Sequence, residues 1–150
     1  MNKLLTVTLF FAILFCCFCQ EETENNEVSD VVKLTKDNFD KKVSKGSWFI
    51  KFYSESCRHC QLMAENFEYS ATNLKNKINF GSVLATEEEE LSRRFRVMSY
   101  PTLLFFYNGE EFQKFRGERT VDGMSNFVLK TEKRAEKQSK KNDDWDISEL

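Results

Sequence analysis

The chain has 150 residues, with 24 acidic against 22 basic side chains and a net charge of −2. That length suits one domain with one core. No basic excess exists to meet phosphates, so nucleic acid is excluded as an expected partner. Fifteen phenylalanines supply large apolar area for the core, and no internal repeat is visible.

Residues 1–19 open with Lys3, run apolar from Leu4 to Phe15 and end in Cys17-Phe18-Cys19 before the polar Gln20. Small residues three and one before a polar start predict a cleavable secretory signal, cut after Cys19. The other reading is an uncleaved anchor. Leu4 to Cys19 offers 16 mostly apolar residues, short of the roughly 20 of a spanning helix, which favours cleavage. No later stretch is apolar enough to span a bilayer, so no membrane association is expected after cleavage. The chain would then sit in a secretory or extracellular compartment, where disulfides persist. Cleavage removes one lysine and no acid, and leaves Cys57 and Cys60 as the only cysteines of the five.

Gln20 to Asp30 is acidic and amide-rich with little to bury, and reads as a flexible flank over 20–30. Val31 to Leu34 predicts a short strand. Thr35 can cap a helix on which Phe39 and Val43 share a face, ended by Gly46. Trp48 to Tyr53, aromatic and β-branched, predicts a central strand that runs straight into Cys57. Met63, Phe67, Ala71 and Leu74 then recur at helical spacing. Ile78 to Ala85 predicts a second buried strand. Thr86-Glu87-Glu88-Glu89 has capping-box spacing for a helix whose far end carries Arg93, Arg94 and Arg96. Thr102 to Tyr107 and Glu111 to Phe115 flank Asn108-Gly109, the dipeptide that favours a tight hairpin turn. A last helix presents Val121, Met124, Phe127, Val128 and Thr131 on one face. Beyond it, lysine-rich and acidic blocks predict a charged disordered tail over 134–150. This order implies an α/β domain over 31–133, a mixed sheet with helices on both faces.

Cys57-Arg58-His59-Cys60 falls where a strand ends and a helix begins. A disulfide across two residues closes almost no loop, so it points to chemistry and not to a structural staple. At a helix N-terminus the unpaired N–H groups and the dipole stabilise a Cys57 thiolate, the attacking species. Cys60, one turn on, is placed to attack a mixed disulfide on Cys57 and release the partner. Arg58 and His59, the only histidine, add positive or potentially positive charge between the cysteines and read as redox tuning, with plain exposure as the alternative for His59. Metal is not expected, because no second ligand pair completes a tetrahedral site.

Phe52-Tyr53 before the cysteines, His59-Cys60, Ala85-Thr86-Glu87-Glu88, Tyr100-Pro101-Thr102, Phe105-Phe106 and Gly117 to Asp122 resemble the catalytic domains of protein disulfide isomerases, which have the thioredoxin-like fold. The resemblance runs from about Val31 to Leu129. It implies a thiol-disulfide oxidoreductase or isomerase of the endoplasmic reticulum lumen or a secreted one, with no cofactor. Its partners would be cysteine-containing client proteins, with glutathione or a thiol oxidase to reset the pair. It also implies a cis Tyr100-Pro101 bond facing the cysteines, against which a substrate peptide lies. A strand-initiating proline is the alternative.

The chain departs from the family in several places. Ser56 and Arg58 stand where the family usually has tryptophan and glycine, and Ala64 replaces a common proline. Lys51 stands where isomerase-type relatives carry a buried glutamate that shuttles protons to the second cysteine, and Leu104 where that glutamate's lysine partner would be. An ammonium accepts no proton unless burial has depressed its pKa; the alternative is that Lys51 snorkels to the surface. Met98 takes the place of an arginine credited with lowering the second cysteine's pKa, and Arg96 would point to the same side of an extended chain. These changes leave a rival reading open, a client-binding module of the same fold with weak or no catalysis. At the far end, Ser148-Glu149-Leu150 shares only Glu-Leu with an endoplasmic reticulum retention signal.

Overall fold

In the computed structural model, which describes residues 29–148 and side chains through residue 142, nine elements follow in order. They are β1 (Val31–Lys33), α1 (Phe39–Val43), β2 (Ser47–Tyr53), α2 (Arg58–Asn73), β3 (Asn79–Leu84), α3 (Glu89–Arg94), β4 (Thr102–Tyr107), β5 (Glu110–Lys114) and α4 (Val121–Ser148). The expected signal over 1–19 lies outside the described residues, as does most of the 20–30 flank. Among the described residues no helix is long and apolar enough to cross a membrane.

The five strands form one mixed sheet in the order β1-β3-β2-β4-β5, with β1, β3 and β2 parallel and β4 and β5 antiparallel to their neighbours. β2 is buried along almost its whole length and hydrogen-bonds on both edges, which suits its aromatic and β-branched composition. Because side chains alternate across a strand, consecutive residues of β2 and β4 feed two cores. Phe49, Leu103 and Phe105 face α2 and α4, where they meet Met63, Phe67, Ala71, Met124 and Val128. Trp48, Ile50, Phe52, Leu104 and Phe106 face α1 and α3, where they meet Phe39, Val43 and Leu91. The α/β architecture expected from the sequence is therefore the one observed.

Phe49 is fully buried, and its ring centroid lies 5.7 Å from those of Phe67 and Phe80 and 5.8 Å from those of Phe115 and Phe127. It ties β2 to both helices of its face. At the other end of the sheet Asn108 and Gly109 both have positive φ, +49° and +89°, as a two-residue hairpin turn requires. The Asn108 side chain accepts a 2.9 Å bond from the Gly46 N–H and anchors the turn to the loop before β2.

Two local expectations fail. α3 starts at Glu89 with Glu88 at its cap and no side-chain cap bond, so Thr86 does not cap it; 84–88 form a turn in which Glu87 and Glu88 donate to the Leu84 carbonyl. The chain is also helical to Ser148, where disorder was expected from 134. Ala135, 1% exposed, extends the buried stripe of α4 by a turn, and the Arg134 guanidinium donates to Gln113 at 2.8 Å. Once a helix is nucleated by docking, each further residue adds a hydrogen bond at little cost, so burial is not needed to carry it on. Replacing Phe49 by alanine is expected to cost about 3–5 kcal/mol, read as a lowered midpoint in urea unfolding.

Candidate active site

β2 ends at Tyr53, and a short loop delivers Cys57 as the N-cap of α2 with extended backbone, φ −82° and ψ 108°. The cap is made by sulfur. The Cys60 N–H donates to Cys57 Sγ at 3.2 Å and to the Cys57 carbonyl at 3.0 Å, and the Gln61 N–H donates to the same carbonyl at 3.1 Å. The two thiols are free, Cys57 partly exposed and Cys60 buried.

Their surroundings pull the two thiols apart. A hydrogen bond from the Cys60 thiol, the backbone N–H groups of Cys60 and His59, and the Arg119 guanidinium hold Cys57 below the usual thiol value, outweighing some desolvation. Burial above all, then the bond donated to Cys57 and the charge on that sulfur, push Cys60 up to about 11. At neutral pH the outer sulfur is thus the better nucleophile, and the inner one holds its proton.

Arg58 and His59 are both exposed on the first turn of α2. What His59 brings to Cys57 is its backbone N–H, and the cation that acts on both thiols is Arg119. Sequence reasoning missed Arg119, although it lies in the Gly117 to Asp122 stretch that carried the resemblance. Arg96 does not act in its place. With φ +49° it breaks the extended path expected there, and its side chain lines surface clefts with Met98 and with Lys114.

Lys51 does not snorkel to the surface. It is 8% exposed, with Nζ 4.7 Å from the Phe67 ring centroid and 3.7 Å from Glu68 Oε1. Burial lowers its pKa, while Glu68 and, more weakly, Cys60 raise it. Leu103, not Leu104, is the residue paired with Lys51 on β4, and Leu104 belongs to the opposite core. The counter-charge comes instead from α2, because Cys60, Ala64 and Glu68 follow at i, i+4 and i+8 on one stripe. Lys51, Cys60, Ala64 and Glu68 all line one cavity of about 250 Å³. Ser29 caps its edge by donating to Glu68 Oε2 at 2.6 Å. A carboxylate held by Lys51 therefore lines the same cavity as the second cysteine, two helical turns further along α2.

The Tyr100–Pro101 bond is cis, as the resemblance implied. Phe52 near the end of β2 pairs with Thr102 at the start of β4, so the cysteine loop and the proline loop leave the sheet at the same end. Pro101 is buried, whereas Tyr100 is 37% and Met98 90% exposed beside it. Among the described residues no group of three or more His, Cys, Asp or Glu is placed to hold a metal ion.

A cysteine-capped helix and a cis-proline at one end of a mixed sheet define a domain of the thiol-disulfide oxidoreductase class. The sequence matches the thioredoxin family over residues 30–130, and the chain belongs to that family. It is 33% identical over 114 residues to protein disulfide-isomerase 5-1 of Arabidopsis thaliana, covering 73% of this chain and 78% of that protein. It is 37% identical over 127 residues to a thioredoxin domain-containing protein of Theileria parva, and spans 78% of its own length but only 58% of that relative. Among solved structures, the first thioredoxin domain of mouse protein disulfide-isomerase A4 superposes with a TM-score of 0.64 at 29% identity, over 69% of this chain and 76% of that one. Human ERp44 gives a TM-score of 0.65 at 25% identity, over 68% of this chain and 29% of that one.

The unequal thiols have a direct readout. Brief treatment of the reduced protein with iodoacetamide at neutral pH is expected to add one label, at Cys57, with Cys60 labelled at least tenfold more slowly. Peptide mass spectrometry checks this, and equal labelling would contradict the assignment.

Proposed function

We propose that this chain is a thiol-disulfide oxidoreductase acting on cysteines of secretory-pathway proteins through Cys57 and Cys60. The observation that carries the reading is the division of labour between the thiols, one activated at a helix cap and one buried and protonated. In the reducing direction the Cys57 thiolate attacks a client disulfide, forms a mixed disulfide and releases one client thiolate. Cys60 then gives up its proton, and its thiolate attacks Cys57 Sγ. The Cys57–Cys60 disulfide forms, the second client thiolate leaves, and two electrons have passed to the client. The reverse sequence oxidises a client dithiol, and glutathione or a thiol oxidase resets the pair.

Two influences that hold Cys60 protonated disappear once Cys57 is tied up in the mixed disulfide: the bond donated to Cys57 and the charge on its sulfur. Burial remains. Lys51 offsets part of it, since an ammonium beside the same cavity favours a Cys60 thiolate; the proton leaves through solvent in that cavity, where Glu68, two helical turns on, holds Lys51 in place. The pair stands where isomerase-type relatives carry the single buried glutamate that Lys51 replaces.

The test is insulin reduction together with trapping. Cys57→Ser is expected to fall to the uncatalysed rate, and Cys60→Ser to accumulate mixed disulfides visible on a non-reducing gel; undiminished turnover by Cys57→Ser would sink the mechanism. Lys51→Met, which keeps bulk and removes charge, is expected to slow the second step about three- to tenfold through a Cys60 pKa raised by roughly 0.5–1 unit. The first step should keep its rate, as stopped-flow kinetics would resolve.

The exposed Met98 and Tyr100 beside Pro101 favour a second reading, a module that holds unfolded clients without turning them over. A native protein with no redox turnover, whose Cys57→Ser/Cys60→Ser double variant still suppresses client aggregation, would put that reading first.

A further inference from the structure

The loop carrying the cis-proline runs between two clefts. Met98 and Tyr100 line one of about 410 Å³, together with Arg93 and Arg96; Ser99 and Pro101 line another of about 300 Å³, together with Lys114, Arg116 and Arg119. Alternate residues of the loop thus open to opposite sides. All five cations are exposed. The ion pairs among the described residues are Lys51–Glu68, Lys75–Asp30 and Arg94–Asp40, so among those residues no carboxylate pairs with any of the five. Glu89, in the first cleft, is the one acidic side chain lining either. This concentration of positive charge stands in a chain whose net charge is −2.

We propose that the two clefts form a site for an acidic polypeptide segment, and that the clients of this chain carry aspartate or glutamate on both sides of the reactive cysteine. The inference rests on the reading of Pro101 as the surface along which a client lies, and it adds the chemical class of that client. Exposed cations at the rim of a site give modest affinity each, but they select among partners and speed encounter. A client with acidic flanks meets a cation cluster on each side of Pro101, and one with basic flanks meets like charge. Arg119 links recognition to reactivity, because it lines the second cleft and its charge also favours the thiolate at both cysteines, though burial still raises Cys60.

Binding tests this without any redox step. The Cys57→Ser/Cys60→Ser chain is titrated, by fluorescence anisotropy, with three labelled peptides of one sequence whose flanking positions are glutamate, glutamine or lysine. At about 0.02 M salt the glutamate peptide is expected to bind roughly five- to tenfold more tightly than the glutamine peptide, and the lysine peptide more weakly than either. The difference should vanish at about 0.5 M salt. Lys114→Gln/Arg116→Gln is expected to remove about half of the preference, and adding Arg93→Gln/Arg96→Gln the rest. Equal binding of the glutamate and glutamine peptides, a preference that survives the fourfold variant, or no binding of any of the three overturns the proposal. A failure of insulin reduction would overturn the oxidoreductase reading and leave this result standing.

Discussion

β2 hydrogen-bonds to β3 on one edge and to β4 on the other, and that double pairing brings the parts of the site together. A strand held on both edges cannot slip by one residue without turning every side chain to the wrong core, so the alternation from Trp48 to Phe52 fixes its register. The end of β2 is fixed with it. The loop that follows must deliver Cys57 to the start of α2, and the antiparallel β4 must begin alongside, where Pro101 precedes it. Cys57 and the proline loop, some 40 residues apart in sequence, become neighbours because of backbone pairing.

The same strand explains why the two thiols differ. α2 packs Met63 and Phe67 onto the Phe49 face of the sheet, which sinks Cys60 toward the interior and leaves Cys57 at the rim. The hydrogen bond from the Cys60 thiol, then the helix cap and Arg119, favour negative charge on the outer sulfur, while burial opposes it on the inner one. Lys51 projects from β2 on that same face into the cavity that Cys60 lines. A buried ammonium is costly unless paired, and Glu68 supplies the partner from the stripe of α2 that also carries Cys60. Where isomerase-type relatives carry a buried glutamate, this chain has a buried lysine whose carboxylate partner comes from the neighbouring helix.

Much of this was legible in the chain itself. The α/β order, the aromatic central strand, the Asn108-Gly109 turn and the helical spacing of Met63, Phe67 and Ala71 follow from local propensity and periodicity, which act between residues close in sequence. Glu68 was legible too, since Cys60, Ala64 and Glu68 share a helical stripe; it went unread because Lys51, its partner, comes from another element. Arg119 sits in a loop with no periodic signal of its own. The pairing of Lys51 with Leu103 and not Leu104 depends on a one-residue register that composition does not carry. The helical continuation past residue 134 went unread because low hydrophobicity measures what a segment can bury, not whether a docked helix can propagate into it.

The sequence by itself determined which cysteines would stand at the helix start and which way most elements would fold. A cysteine at a strand-to-helix junction meets the helix cap and dipole whatever else surrounds it, because both are local. Only the tertiary structure decided how the two thiols differ and what surrounds them. The Lys51–Glu68 pair, the reach of Arg119 and the two cationic clefts beside Pro101 each join side chains from different elements. Coulomb forces and burial act through space, and the chain order records neither.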